Sequence, residues 1–166
     1  MAVWPPASLL DRLRTLERPA RPGLRWTTEP QWHVTLRFLG EIDAAGEEVL
    51  RRILAEVSAA TAGLEATAGP RARSLGPAVW MLPVDGLGPL AATFEAATRD
   101  LGQPPPRRAF RGHLTLARAR GPGLVQELPE VRVTERWTVT DLTLVRSHLE
   151  ASGARYEVIG TWPVGG

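Results

Sequence analysis

Two of the three histidines in this 166-residue chain have a threonine two places on: His33-Val34-Thr35-Leu36 and His113-Leu114-Thr115-Leu116. In a strand, residues i and i+2 share a face. Each motif therefore projects an imidazole and a hydroxyl together, with Val34/Leu36 and Leu114/Leu116 on the packed side. Set side by side, two such strands offer two imidazoles and two hydroxyls to one cleft. A neutral imidazole can take the proton of an attacking oxygen, and an imidazolium can protonate a leaving oxygen. The hydroxyls can donate hydrogen bonds to non-bridging phosphate oxygens. That equipment suits phosphodiester cleavage. With 14 threonines in the chain, chance would give two such pairings among three histidines roughly 2% of the time. The plainer alternative is a pair of half-buried strand histidines with ordinary threonine neighbours.

The remaining composition narrows the chemistry. Cysteine is absent, which excludes disulfides, thiolate metal sites and a cysteine nucleophile. A three-histidine metal site would have to recruit His148, which has no threonine at +2 and reads as a surface residue; no His-Glu-x-x-His spacing occurs. All 20 basic side chains are arginine, and the net charge is only +2. The pI of about 10.3 therefore reflects how little titrates at alkaline pH rather than a strongly basic surface. Local clusters carry more weight. Arg107, Arg108 and Arg111 flank the second motif and could steer a polyanion, and Trp26, Trp32 and Phe38 near the first could stack a base, although core packing competes for them. Gly86-Leu87-Gly88 is too short for a phosphate loop, and no Walker or Rossmann pattern occurs.

These motifs need short elements to position them. Leu9, Leu10, Leu13 and Leu16 share one face of a helix over residues 7–17, after Pro5-Pro6. Strands are expected at 24–27 and 33–39, and a helix capped by Asp43 runs to about Ala60 with Val49, Ile53 and Val57 inward. Further strands are expected before Gly69-Pro70, at 78–84 and at 113–118, with a helix over 90–101 and the loop Pro104-Pro105-Pro106. Segments 135–145 and 155–164 read as a hairpin around Ser152-Gly153. The motif repeat, about half a chain apart, points to two similar lobes in one domain over residues 1–166. The mixture of elements favours an α+β fold with antiparallel sheets. No apolar run is long enough to cross a bilayer, and the opening Met1-Ala2-Val3-Trp4-Pro5-Pro6 is unlike a signal peptide, so the expected location is cytoplasmic, with no membrane partner.

At these residues the sequence resembles the two-histidine phosphoesterases, and within them the LigT-like RNA 2′,3′-cyclic phosphodiesterases, also called 2′-5′ RNA ligases. The likeness runs through Leu24-Arg25-Trp26, His33 to Glu41, Arg108 to Arg111, His113 to Arg118, Leu144 to Ser147, Gly153 to Tyr156 and Trp162-Pro163-Val164. Two departures stand out: the chain opens at Ala2-Val3-Trp4, where the family's first strand usually begins several residues earlier, and Gly112 replaces a common proline. The resemblance implies a bilobal fold with two pseudo-symmetric antiparallel sheets facing a central cleft and helices outside. It also implies that His33 is the proton donor, that His113 is the proton acceptor, and that Thr35, Thr115 and Arg118 hold the phosphate; Phe38, Trp26 and Arg111, read from their residue types beside the motifs, are expected as further substrate contacts. The implied reaction opens a terminal 2′,3′-cyclic phosphate on RNA, transfer-RNA halves among the candidates, to a 2′-phosphate. It would need no metal or cofactor and would have 2′-5′ joining as the reverse process; independently of the resemblance, a monomer is the default expectation. The alternatives are phosphodiesterase action on 2′-5′ oligonucleotides or small cyclic phosphates, and a non-catalytic RNA-end-binding module.

Overall fold

Short runs of alternating aliphatic residues, broken by glycine and proline, favour strands over long helices. The computed structural model describes residues 1–120, 125, 128–150 and 153–165. In chain order the first elements are strand β1 (Ala2–Val3), helix α1 (Ala7–Arg14), strands β2 (Leu24–Trp26) and β3 (Val34–Thr35), and helix α2 (Ala44–Ala60). Strands β4 (Glu65–Ala68), β5 (Arg73–Leu75) and β6 (Val79–Asp85) lead to helix α3 (Gly88–Ala97). Strands β7 (His113–Ala119), β8 (Glu135–Thr138), β9 (Asp141–Glu150) and β10 (Gly153–Pro163) follow. They form a four-stranded sheet in the order β10-β9-β1-β3 and a six-stranded one in the order β2-β7-β6-β4-β8, with β5 also on β6. Every pairing is antiparallel. The fold is α+β, with one histidine motif in each sheet. No helix among the described residues is long and apolar enough to cross a membrane.

The elements follow their local chemistry, with three differences from expectation. Asp43 caps α2 by accepting from the Gly46 N–H at 2.8 Å. The buried face of that helix is Gly46, Leu50, Leu54 and Ser58, not Val49, Ile53 and Val57; the valine–isoleucine row flanks it, with Val49 exposed. Strand β3 is two residues long; beyond its ladder with β1, the Leu36 N–H donates to the Met1 carbonyl and the Met1 amine to the Arg37 carbonyl, both at 2.9 Å. The expected hairpin arm at 135–145 is two strands: β8 pairs with β4 in one sheet, and β9 pairs with β10 and β1 in the other. The chain changes sheets at Val139-Thr140, where the Val139 N–H donates to Leu64 and the Thr140 carbonyl accepts from Val164, both at 2.8 Å. Ser152, expected in the hairpin turn, lies outside the described residues.

One crossover joins the sheets and sets the relative placement of the two motifs. Residues 27–33 run from β2 to β3. Thr27 donates its N–H to the Leu116 carbonyl at 2.9 Å, and its hydroxyl lies 2.6 and 2.9 Å from the Thr115 and Leu116 carbonyls. The same hydroxyl accepts from the indole N–H of Trp32, a ring only 2% exposed, at 3.0 Å. Further along, the Gln31 amide donates to the Ala154 carbonyl on β10 at 2.6 Å. The segment before His33 is thus bonded to β7 and to β10.

Thr27→Val keeps the shape but removes the acceptor for the buried Trp32 N–H. Unfolding in urea should show a loss of about 1–3 kcal/mol, the cost of an unsatisfied buried donor, and Thr27→Ser should restore most of it.

Candidate active site

On β7, Leu114 and Leu116 are buried while His113 and Thr115 line a cavity of about 70 Å³. Arg118 lies five places beyond His113, an odd offset that in a regular strand would point it to the opposite face. It nonetheless lines the same cavity. The pairing with β6 shows why: Trp80 faces Ala117 and Met81 faces Thr115, so Leu116 is an extra residue, a β-bulge that inverts the alternation beyond it. The bulge carbonyls are the ones Thr27 bonds.

From the other sheet, His33 and Thr35 enter the same cavity, while Val34 and Leu36 are buried. The structure thus brings together all five principal candidates: His33, Thr35, His113, Thr115 and Arg118. It adds Arg25, Thr27, Gln31, Ala154 and Tyr156. Arg25 stands directly across from Arg118 in the β2–β7 ladder. Like charges at that spacing are unfavourable unless an anion sits between them. The lining contains two arginines and two histidines and no carboxylate, a charge balance that favours an anion. The Arg25 guanidinium lies over the hairpin at Gly153 (φ +124°), where a Cβ would come within 2.1 Å of its Nη1.

The two imidazoles sit in contrasting surroundings. His33 lies between aromatic rings, 5.4 Å from Trp4 and edge-on to Tyr156 at 4.4 Å between centroids. Trp4 is held in turn by its indole N–H on the Thr143 hydroxyl at 3.0 Å. Burial and, secondarily, the positive charge of the Met1 amine push the His33 pKa down from 6.5 to about 4, with His113 and Arg118 adding to the effect. The Gln31 backbone opposes this as a favourable dipole, although Nδ1 is buried without a hydrogen bond of good geometry. His113 instead holds its Nδ1 2.7 Å from the Arg111 carbonyl. A carbonyl only accepts, so that nitrogen carries hydrogen and Nε2 keeps its lone pair. The approach to His113 is tight: a Cβ on Gly112 would lie 2.2 Å from the Val84 carbonyl, which explains glycine at this position.

Thr35 and His113 are also walls of an adjoining groove of about 300 Å³, which contains Phe38, Phe110, Arg108 and Arg111. Phe38 is 61% exposed there, an available stacking face. Behind it Arg37, 3% exposed, donates to the Phe38 carbonyl at 2.5 Å, to the Thr98 hydroxyl at 3.2 Å and to the Gln103 carbonyl. Two of the three aromatic candidates are structural. Trp32 is core, and Trp26 points away from the cavity with its N–H on the Pro19 carbonyl at 3.1 Å, because its neighbour Arg25 takes the cavity face of β2. His148 pairs with Glu157 at 2.9 Å on the surface hairpin. Among the described residues, no three His, Cys, Asp or Glu side chains are grouped to hold a metal. Sequence reading missed Arg25, Tyr156 and Trp4 as site residues. Arg25 could have been found by pairing its strand with that of Arg118, whereas nothing local marks the other two.

The pattern of the family described as LigT like Phosphoesterase matches residues 3–68. An RNA 2′,3′-cyclic phosphodiesterase of Thermus thermophilus is 33% identical over 175 aligned residues, covering 95% of this chain and 85% of that protein. The crystal structure of TT0787, also from Thermus thermophilus, superposes with a TM-score of 0.84 at 26% identity, over 99% of this chain and 96% of the other. E. coli LigT complexed with 3′-AMP gives 0.79 at 25% identity, over 98% and 95%.

His33 should be visible by NMR as the resonance lost in His33→Gln, titrating near pH 4. Inorganic phosphate should raise that value by placing an anion beside the ring. Between pH 6.5 and about 4 the unfolded chain takes up a proton at this position and the folded chain does not. Stability should therefore fall as pH drops through that window, and more shallowly in His33→Gln.

Proposed function

This chain belongs to the LigT-like phosphoesterase family, and we propose that it opens terminal 2′,3′-cyclic phosphates on RNA to 2′-phosphates by acid–base catalysis between His33 and His113. The observation that carries this reading is the single carboxylate-free cavity into which both His-x-Thr motifs and two arginines open. Its size suits a phosphate group, and the adjoining groove with Phe38 and Phe110 suits the nucleoside attached to it.

In this mechanism the phosphate sits among Thr35, Thr115, Arg25 and Arg118, hydroxyls and guanidinia facing its non-bridging oxygens. His113, with Nδ1 pinned to a carbonyl, presents Nε2 as the base that takes a proton from water as water attacks phosphorus. The 3′-oxygen departs with a proton from His33, and the 2′-phosphate remains. Burial alone would keep His33 neutral near pH 7, so its proton must be stabilised by the bound anion. The aromatic box then holds a strong acid beside the leaving oxygen. Residues 1–166 act here as one catalytic domain, monomeric and without a metal or organic cofactor. Joining of RNA halves through a 2′-5′ linkage would use the same two histidines in exchanged roles.

The decisive experiment supplies a 2′,3′-cyclic-phosphate oligoribonucleotide in the presence of chelator and identifies the product. A 2′-phosphate at full rate supports the reading, and a 3′-phosphate or dependence on added divalent ion overturns it. His33→Ala and His113→Ala should each lower kcat by a factor on the order of 10²–10⁴. His113→Ala should abolish the acid limb of the pH profile, leaving a fall in kcat/KM set by His33 near pH 4. The corresponding fall in kcat should lie higher, because bound phosphate retains the proton. Arg118→Ala should cost roughly 2–4 kcal/mol of transition-state stabilisation, read as loss of kcat/KM.

A further inference from the structure

The nucleoside groove does not end at Phe110. Leu75, Phe110 and Arg111 are also walls of a second, larger cavity of about 690 Å³, bounded by β5, the C-terminal half of β6 and the start of α3. The three spaces therefore adjoin in series: the phosphate cavity shares Thr35 and His113 with the groove, and the groove shares three residues with the larger cavity. Two exposed guanidinia, Arg73 and Arg111, line the far cavity against a single carboxylate, Asp85. Among the described residues, neither arginine has a side-chain hydrogen bond or ion pair. Elsewhere on the molecule Arg12, Arg14, Arg51, Arg146 and Arg155 do have acidic partners.

Resting on the reading that the histidine cavity takes a cyclic phosphate, we propose that the cavity at Arg73 and Arg111 binds the RNA strand immediately 5′ of the terminal nucleotide, making the enzyme selective for oligoribonucleotides over cyclic mononucleotides. The order of chemistries along the path matches a polynucleotide. It begins with a cationic phosphate site, continues with an apolar stretch bearing exposed Phe38 and half-buried Phe110 where a base can stack, and ends with free guanidinia where the next phosphodiester falls. A cyclic mononucleotide would be held by the first two stations and would not reach the third. The Arg111 backbone also holds His113 through its carbonyl, so a strand engaging that side chain is seated on the segment that orients the base.

The test compares 2′,3′-cyclic AMP with a tetraribonucleotide ending in a 2′,3′-cyclic phosphate, using the wild-type chain and Arg73→Glu at two salt concentrations. The wild type should favour the tetramer in kcat/KM on the order of tenfold, with the advantage shrinking as salt rises. Arg73→Glu should lose most of that advantage and leave the kinetics of the cyclic mononucleotide unchanged, with an unaltered melting temperature. In parallel, fluorescence anisotropy of a labelled tetramer ending in a 2′-phosphate reads binding without turnover. Equal kcat/KM for both substrates in the wild type, or a length preference untouched by Arg73→Glu, overturns the proposal. If neither substrate is turned over, the proposed reaction fails. The strand-binding cavity then stands if Arg73→Glu weakens tetramer binding about tenfold, and falls if it does not.

Discussion

The extra residue at Leu116 and the threonine that holds it are the constraint on which the site depends. A regular β7 would present His113 and Thr115 to the cavity and turn Arg118 away. The bulge brings Arg118 to the same side, and Thr27 bonds the carbonyls of the bulge with its own N–H and hydroxyl. The same hydroxyl receives the Trp32 indole, one residue before His33. One polar group thus fixes the direction of a cation in one sheet and the position of an imidazole entering from the other. Because the group is buried, its bonds have no water to exchange with, and a shift in either sheet would leave a donor unsatisfied.

The two lobes are similar in motif and unequal in construction, and the inequality separates the histidines electrically. A long strand carries His113, whose neighbour two residues back supplies a carbonyl that fixes its tautomer. His33 immediately precedes a two-residue strand and is enclosed by rings contributed from the start of the chain and from β10. One ring is tied to a hydrogen-bond acceptor, and the other is stripped of water. Burial thereby makes His33 harder to protonate before any ligand arrives.

Much of this was legible in the sequence where the signal is local. The period of two in His-x-Thr-x predicted which side chains would share a face, and Asp43 followed by a helical pattern predicted a cap. Signals that depend on pairing were not legible. The parity of Arg118 cannot be read without knowing that β7 has a bulge. The role of Arg25 appears only once β2 is set against β7, and local reading instead favoured its larger neighbour Trp26. Trp4 and Tyr156 reach His33 from opposite ends of the chain. In α2 a row of β-branched residues lies next to a row containing two leucines, and periodicity alone gives the same stripe for both. The bulkier aliphatic row at Leu50 and Leu54 faces the core, and the other borders it.

The seat of Arg25 against Gly153 links mutational tolerance at two distant positions. No side chain fits at that glycine without displacing the guanidinium, and its backbone conformation independently disfavours other residues. Drift at the hairpin tip is therefore not neutral for the cavity. A change there would displace a cation of the cavity without altering any residue that lines it. Sequences descended from this one should keep the pair or lose it together, so that a substitution at Gly153 forecasts a repositioned charge at Arg25.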